Sequence, residues 1–213
     1  MSTLESLMLA VIEGQVARAR ELAAAAVAAG LLPETVFSES LAPAMDEVGK
    51  RMQRAEYYIP EVLMAAKAMK AAAEVLKPLV VQSGGSRSRG RVLMGTVKGD
   101  LHDIGKNLVT MMLEGAGFEV VDLGVDVPPL RFAEAVREFR PQVVGMSAML
   151  TTTMLQMSKV VETLKAEGLR SQVKVMVGGA PVTQRFADEI GADGFGIDSA
   201  SAVELARAWI PGE

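Results

Sequence analysis

The chain has 213 residues, half of them hydrophobic and 23% charged, with a net charge of −4, one histidine, no cysteine and fourteen methionines. Without a thiol there is no cysteine-type zinc site, cysteine-ligated iron–sulfur cluster, disulfide or thiol nucleophile, and a lone histidine excludes any site needing two from one chain. The acidic balance and 4% aromatic content argue against a nucleic-acid surface, and no run approaches the roughly 18 apolar residues of a membrane span.

The first segment (MSTLESLMLAVIEGQ) lacks a basic n-region and carries Glu5 and Glu13, so it is not read as a secretory signal. A cytoplasmic protein is expected. Up to about residue 85 the pattern is helical. Apolar residues at i, i+3 and i+4 fill Thr3–Ile12, Gln15–Ala29, Pro33–Arg54 and Pro60–Val81, with alanine abundant and β-branched residues few. Gly30, Pro33 and the stretch from Tyr57 to Pro60 punctuate them. Four helices with short connections predict a small bundle over 1–84. A polar, glycine- and serine-rich linker follows at 85–90, and its arginines are read as solvated linker charges.

From residue 91 strand and helix patterns alternate. Apolar, β-rich runs lie at Arg91–Val97, Glu119–Leu123, Val143–Ser147, Val173–Val177 and, weakly, Gly194–Ile197. Helical patterns follow at Ile104–Ala116, Pro129–Phe139, Thr153–Glu167, Thr183–Ile190 and Ala200–Ile210. Five βα units whose strands are almost wholly apolar predict a parallel, doubly wound α/β sheet over 91–213, buried on both faces. Right-handed crossovers put every strand C-terminus at one edge, and ligands bind beyond that edge.

The loop after the first strand reads Gly95-Thr-Val-Lys-Gly-Asp-Leu-His-Asp-Ile-Gly-Lys-Asn107. It is not a P-loop, because five residues separate Gly99 from Gly105 and Lys106 precedes Asn107 rather than Ser or Thr. It does place Asp100 two residues before His102. A metal-ligating imidazole usually donates its other N–H to a carboxylate, and this pair can supply that from one loop. The bland alternative is a surface histidine near a helix start, with Asp103 as N-cap. Gly105 leaves the backbone open to close approach by a bulky ligand.

Asp100-x-His102-x-x-Gly105 resembles the DxHxxG motif of cobalamin (B12)-binding domains, and GDLHDIGKNLV resembles its methionine-synthase and corrinoid-protein form. Ser147-Ala-Met149 after the third strand resembles that family's SxL segment, with methionine where leucine is usual. Gly178-Gly179-Ala180 after the fourth resembles its GG segment. The resemblance implies a fold with an N-terminal four-helix bundle cap and a C-terminal five-stranded parallel doubly wound (flavodoxin-like) B12-binding domain. It implies that the cofactor's own lower base leaves the cobalt and threads into the sheet domain, with His102 as the cobalt ligand in its place. Asp100 would hydrogen-bond His102, and Thr153 would extend the relay. Ser147 and Thr151 would contact the tail, and Gly178 and Gly179 would make room for it, since a Cβ there would fill tail volume. Gly99, Leu101, Asp103, Ile104, Gly105, Met149 and Ala180 complete the implied cofactor-binding set.

The helical half extends the resemblance. Leu41–Met52 and Glu56-Tyr-Tyr-Ile-Pro-Glu61 are similar to the cap pattern of corrinoid proteins, with Ala55 where glycine is usual, and 65–70 resembles the helix over the corrin's upper face. Met69, and Met64 beside it, could shield that face. Met146, Met149, Met154 and Met157 would flank the tail slot, although methionine is also ordinary core filler. The implied function is a methyl carrier, holding a methyl group on cobalt between a substrate-specific methyltransferase and an acceptor methyltransferase, with a reductive activase as a further partner and the linker as hinge. No nucleic acid or membrane is expected as partner. A cobalamin-binding sensor module is the alternative, disfavoured by the lack of a basic recognition helix. An adenosylcobalamin mutase subunit is disfavoured by the cap.

Overall fold

The computed structural model describes residues 2–82 and 88–211. The chain divides into two compact units, a helical one before the linker region and a βα one after it. Of the linker expected at 85–90, residues 85–87 lie outside the described residues.

The first unit contains α1 (Thr3–Ile12), α2 (Val16–Ala28), α3 (Pro33–Val36), α4 (Ala42–Gln53) and α5 (Ile59–Gln82). Ser2 starts α1 through a reciprocal capping box with Glu5. Buried Ala19, Ala23 and Ala26 keep one face of α2 small, and α2 packs along α5. The third predicted helix is continuous but not uniform. A π turn at Phe37–Leu41 joins α3 to α4, with the Ala42 N–H bonded to the Phe37 carbonyl. Pro43 follows directly. It lacks an N–H and its ring crowds the carbonyl four residues back, and the wider turn relieves that clash.

At the end of α4, Ala55 takes the left-handed position with φ 56°. The Ala55 N–H donates to the Met52 carbonyl and the Glu56 N–H to the Arg51 carbonyl, which is the Schellman pattern that usually ends in glycine. Arg51 and Tyr57 hold the following loop. The Arg51 guanidinium donates to Tyr57 Oη (3.0 Å), and that hydroxyl donates to the Ile12 carbonyl (3.1 Å).

The second unit runs β1 (Arg91–Thr96), α6 (Ile104–Gly115), β2 (Glu119–Asp122), α7 (Pro129–Phe139), β3 (Val143–Ser147), α8 (Thr151–Ala166), β4 (Lys174–Gly178), α9 (Gln184–Ile190), β5 (Gly194–Gly196) and α10 (Ser199–Trp209). The strands form one sheet in the order β2-β1-β3-β4-β5, all neighbours parallel. This is the flavodoxin-like order, and its direction reverses between β1 and β3. Leu93, Phe132, Val144, Met146, Met157, Val161, Leu164 and Val177 belong to its core. Gly95 lets Phe132 lie against β1, because a Cβ there would stand 2.8 Å from the ring.

One strand departs from expectation. β2 is not buried on both faces; Glu119 and Asp122 are exposed and the two valines between them only partly covered. It is an edge strand with a partner on one side only, and its charged ends mark it as such.

Candidate functional site

Thr96 and Ser147 are paired in register at the C-terminal ends of β1 and β3. The loops that follow, 97–103 and 148–150, therefore flank the crevice where the strand order reverses, the position at which open α/β sheets bind ligands. The β1 loop is anchored at both ends. The Val97 N–H donates to the Ser147 carbonyl, and buried Thr96 donates its hydroxyl to the His102 carbonyl (3.0 Å).

Asp100 is fully buried, and its carboxylate accepts four hydrogen bonds. Oδ1 receives the His102 backbone N–H (3.1 Å) and lies 2.7 Å from His102 Nδ1. Oδ2 receives the Met149 N–H (2.7 Å) and the Thr153 hydroxyl (2.6 Å). Burial alone would raise the carboxyl's pKa. The bonds from Thr153, Met149 and His102 outweigh it and hold the group well below the usual carboxylate range. An ionised acceptor at Nδ1 fixes that nitrogen as the donor, so in the neutral imidazole the lone pair is on Nε2. The His102 side chain is 54% exposed, so the free nitrogen sits on an accessible ring.

Thr153 is buried in the first turn of α8, which starts at Thr151, two residues earlier than its sequence pattern suggests. Asp103 precedes α6 and accepts from the Asn107 side chain (3.0 Å). Ser147 is partly exposed at the crevice, Thr151 is exposed, and neither hydroxyl has a hydrogen-bond partner among the described residues. Gly99 has φ +81°, a conformation suited to glycine. A Cβ on Gly105 would meet nothing within 4 Å, so no part of this chain requires glycine there.

Gly178 and Gly179 have a reason within the chain itself to be glycine. A Cβ on Gly178 would lie 2.9 Å from the Gly196 carbonyl oxygen, and one on Gly179, where φ is +129°, would overlap the Ala148 carbonyl oxygen. These glycines admit neighbouring backbone, and Ala180 follows on the exposed surface. Met146 and Met157 are core residues and Met154 packs against the core, so of the four methionines expected at the slot only Met149 is exposed. Met69 and Met64 lie on α5 of the other unit, Met69 buried and Met64 exposed.

Sequence reasoning missed two features. Lys106 is buried and pairs with Asp122 at the end of β2, fastening α6 to the edge strand. Asp126, after β2, bonds to the turn at Lys98–Gly99. Asp126 lies in no recognisable local motif; Lys106 falls within GDLHDIGKNLV, where an unusual lysine on the inward side of an amphipathic helix could have signalled its burial.

The residues present fit a corrinoid. Among the described residues no three His, Asp or Glu side chains gather as a metal cluster. One imidazole offering one nitrogen suits a metal that brings its other ligands with it. Large apolar side chains stand exposed at the same sheet edge: Leu101 (73%) and Ile104 (66%) after β1, Met149 and Leu150 after β3, and Ile197 after β5. An apolar collar of this kind on a polar surface marks a binding face.

Comparison with known proteins agrees. The B12 binding domain family matches residues 90–206, and a second B12 binding domain family matches 3–77. Trimethylamine corrinoid protein 1 of Methanosarcina mazei is 45% identical over 191 residues, covering 89% of this chain and 88% of its own length. Dimethylamine corrinoid protein 1 of Methanosarcina acetivorans is 46% identical over 187 residues, 87% of this chain and 88% of its own length. The methanol:cobalamin methyltransferase complex MtaBC of Methanosarcina barkeri contains a chain of similar structure, with TM-score 0.86 and 32% identity, covering 99% of this chain and 80% of that one. On sequence and fold together, this chain belongs to the B12-binding corrinoid proteins.

Proposed function

We propose that this chain is the methyl-carrying corrinoid subunit of a methyltransferase system, with His102 Nε2 as the protein's ligand to cobalt. The observation that carries the reading is the buried Asp100 carboxylate bound to Nδ1 of an exposed His102, 2.7 Å away. When bound, the corrinoid supplies a cobalt centre able to accept and give up a methyl group.

The chain's own residues prepare that centre. Asp100 fixes the imidazole tautomer and the orientation of the ring. Thr153 and the Met149 N–H hold the far carboxylate oxygen, so the pair cannot rotate away from the crevice. Exposed Leu101, Ile104, Met149 and Leu150 offer apolar surface for a bound corrinoid to cover. Ser147 and Thr151 offer free hydroxyls to the polar cofactor tail, and Gly105 leaves space beside it. In the same reading Met69, with Met64 beside it, would shield the methyl group. We assign a cap to 1–84, a linker to 85–90 and the cofactor-binding domain to 91–213.

The partners in this reading are a substrate methyltransferase, an acceptor methyltransferase and a reductive activase. The relatives support carriage over sensing, being named for methylamines or found in a methyltransferase complex. Among the described residues no helix is long and apolar enough to cross a membrane, and a cytoplasmic location belongs to the same reading. The test is reconstitution of wild type and His102→Ala with hydroxocobalamin. Both should bind, but only wild type should show the absorption shift of imidazole ligation. Identical spectra would remove His102 from the cobalt.

A further inference from the structure

The turn carrying Asp100 and His102 is poorly held by its own residues. Between Val97 and Asp100 it makes one internal backbone bond, from the Asp100 N–H to the Val97 carbonyl (3.1 Å). Beyond the Val97 and Thr96 anchors at its ends and the Asp100 carboxylate's own bonds, the Lys98–Asp100 backbone is held by Asp126, in the loop after β2. Asp126 Oδ1 accepts the Gly99 N–H at 2.7 Å, Oδ2 accepts Lys98 Nζ at 2.9 Å, and the Asp126 N–H donates to the Asp100 carbonyl at 3.0 Å. Three bonds from one residue thus grip three consecutive residues of the turn.

Asp126 makes this grip from a costly conformation. Its φ is 55°, in the left-handed region that L-residues rarely adopt and that aspartate and asparagine tolerate best. Glycine would satisfy the backbone there without strain. What glycine lacks is the carboxylate, and strain that persists at a site edge is a pointer to function. The Lys98 pair is exposed on both sides and adds little by itself. The bond to the Gly99 amide is therefore the informative one, and it accounts first for the lowered pKa of the Asp126 carboxyl.

We infer that Asp126 is a positioning residue for the cobalt-ligating loop, fixing the Lys98–Asp100 turn so that the Asp100 carboxylate meets His102, Met149 and Thr153 together. The inference rests on the reading of His102 as ligand. It acts through backbone geometry, and Asp126 itself touches neither His102 nor the metal.

The test compares wild type, Asp126→Gly, Asp126→Asn and His102→Ala. Asp126→Gly removes both carboxylate oxygens and the strain; Asp126→Asn keeps the acceptor for Gly99 and tolerates the same φ. Two readouts are taken: amide hydrogen exchange over residues 98–103 in the cofactor-free protein, and the absorption spectrum with bound hydroxocobalamin at pH 7. In Asp126→Gly, exchange should rise about tenfold or more, the imidazole-ligated fraction should fall, and the thermal midpoint should stay near wild type. Asp126→Asn should restore both readouts. Wild-type exchange in Asp126→Gly, failure of that variant to fold, or failure of asparagine to rescue would overturn the inference. If His102→Ala leaves the spectrum unchanged, the ligand reading fails instead, and the exchange comparison still decides the role of Asp126.

Discussion

Thr153→Val removes one hydroxyl and preserves the side chain's shape. That hydroxyl lies 2.6 Å from Asp100 Oδ2, and both groups are buried. A hydrogen bond to a charged group contributes about 1.5–3 kcal/mol. Asp100 would keep the Met149 N–H on the same oxygen and the two His102 donors on the other, so the carboxylate would not be orphaned. The cost should therefore sit at the lower end, about 1.5–2 kcal/mol. Trp209 is the chain's only tryptophan, and a Cβ on Gly194 of β5 would stand 2.9 Å from its ring. Its fluorescence thus follows the sheet unit in urea. The midpoint should fall with the slope unchanged. The pH dependence has a definite sign. The folded Asp100 carboxyl is held below its ordinary value, so its stabilisation is complete above the unfolded pKa of about 3.9 and is lost as pH falls through the folded one. The variant's penalty should be full at neutral pH and narrow only in strong acid, as pH falls below the unfolded value toward the folded one. A loss under about 0.5 kcal/mol at neutral pH, or a penalty indifferent to acid, would show that the hydroxyl does not serve the carboxylate.

Three further outcomes are expected. Ala55→Gly should stabilise the helical unit by about 1 kcal/mol, because glycine bears no Cβ penalty at the left-handed end of α4, as circular dichroism melting can check. Gly179→Ala should cost about 3 kcal/mol or more and disturb the loops after β3 and β4 together, since its Cβ overlaps the Ala148 carbonyl; urea midpoints will show it. Asp193 accepts the Val175 N–H (2.8 Å), Arg170 (2.6 Å) and Lys174 (3.1 Å), and although burial opposes it, these bonds depress its pKa. Its contribution is therefore present above the unfolded carboxylate pKa and lost as pH falls below it, and Asp193→Asn should flatten the acid limb of the stability profile measured by Trp209 fluorescence.

The sheet and its cofactor loop were legible because their signals are local. Five apolar runs separated by amphipathic helices dictate a parallel sheet, and Asp100-x-His102 places donor and acceptor within one loop. The readings that changed depend on distant residues. β2 reads like its neighbours, and its exposure follows from lying at the edge. The need for glycine at Gly178 and Gly179 also comes from the carbonyls of Gly196 and Ala148, which lie far from them in the sequence. The π turn before Pro43 replaces what periodicity takes for an unbroken helix. Asp126 carries no motif, and its grip on Gly99 depends on a left-handed backbone that sequence patterns do not encode.

The central claim concerns one nitrogen atom, and the chain's single histidine makes it directly measurable. Protein labelled with 15N only at histidine, loaded with cobalamin and reduced to the cobalt(II) form, can be read by electron paramagnetic resonance. One axial 14N splits each cobalt line into a triplet, and one axial 15N splits it into a doublet. The account predicts triplets in unlabelled protein and doublets after labelling. Triplets that persist in the labelled protein would mean that the cofactor's own base stays on the metal and that His102 does not bind it.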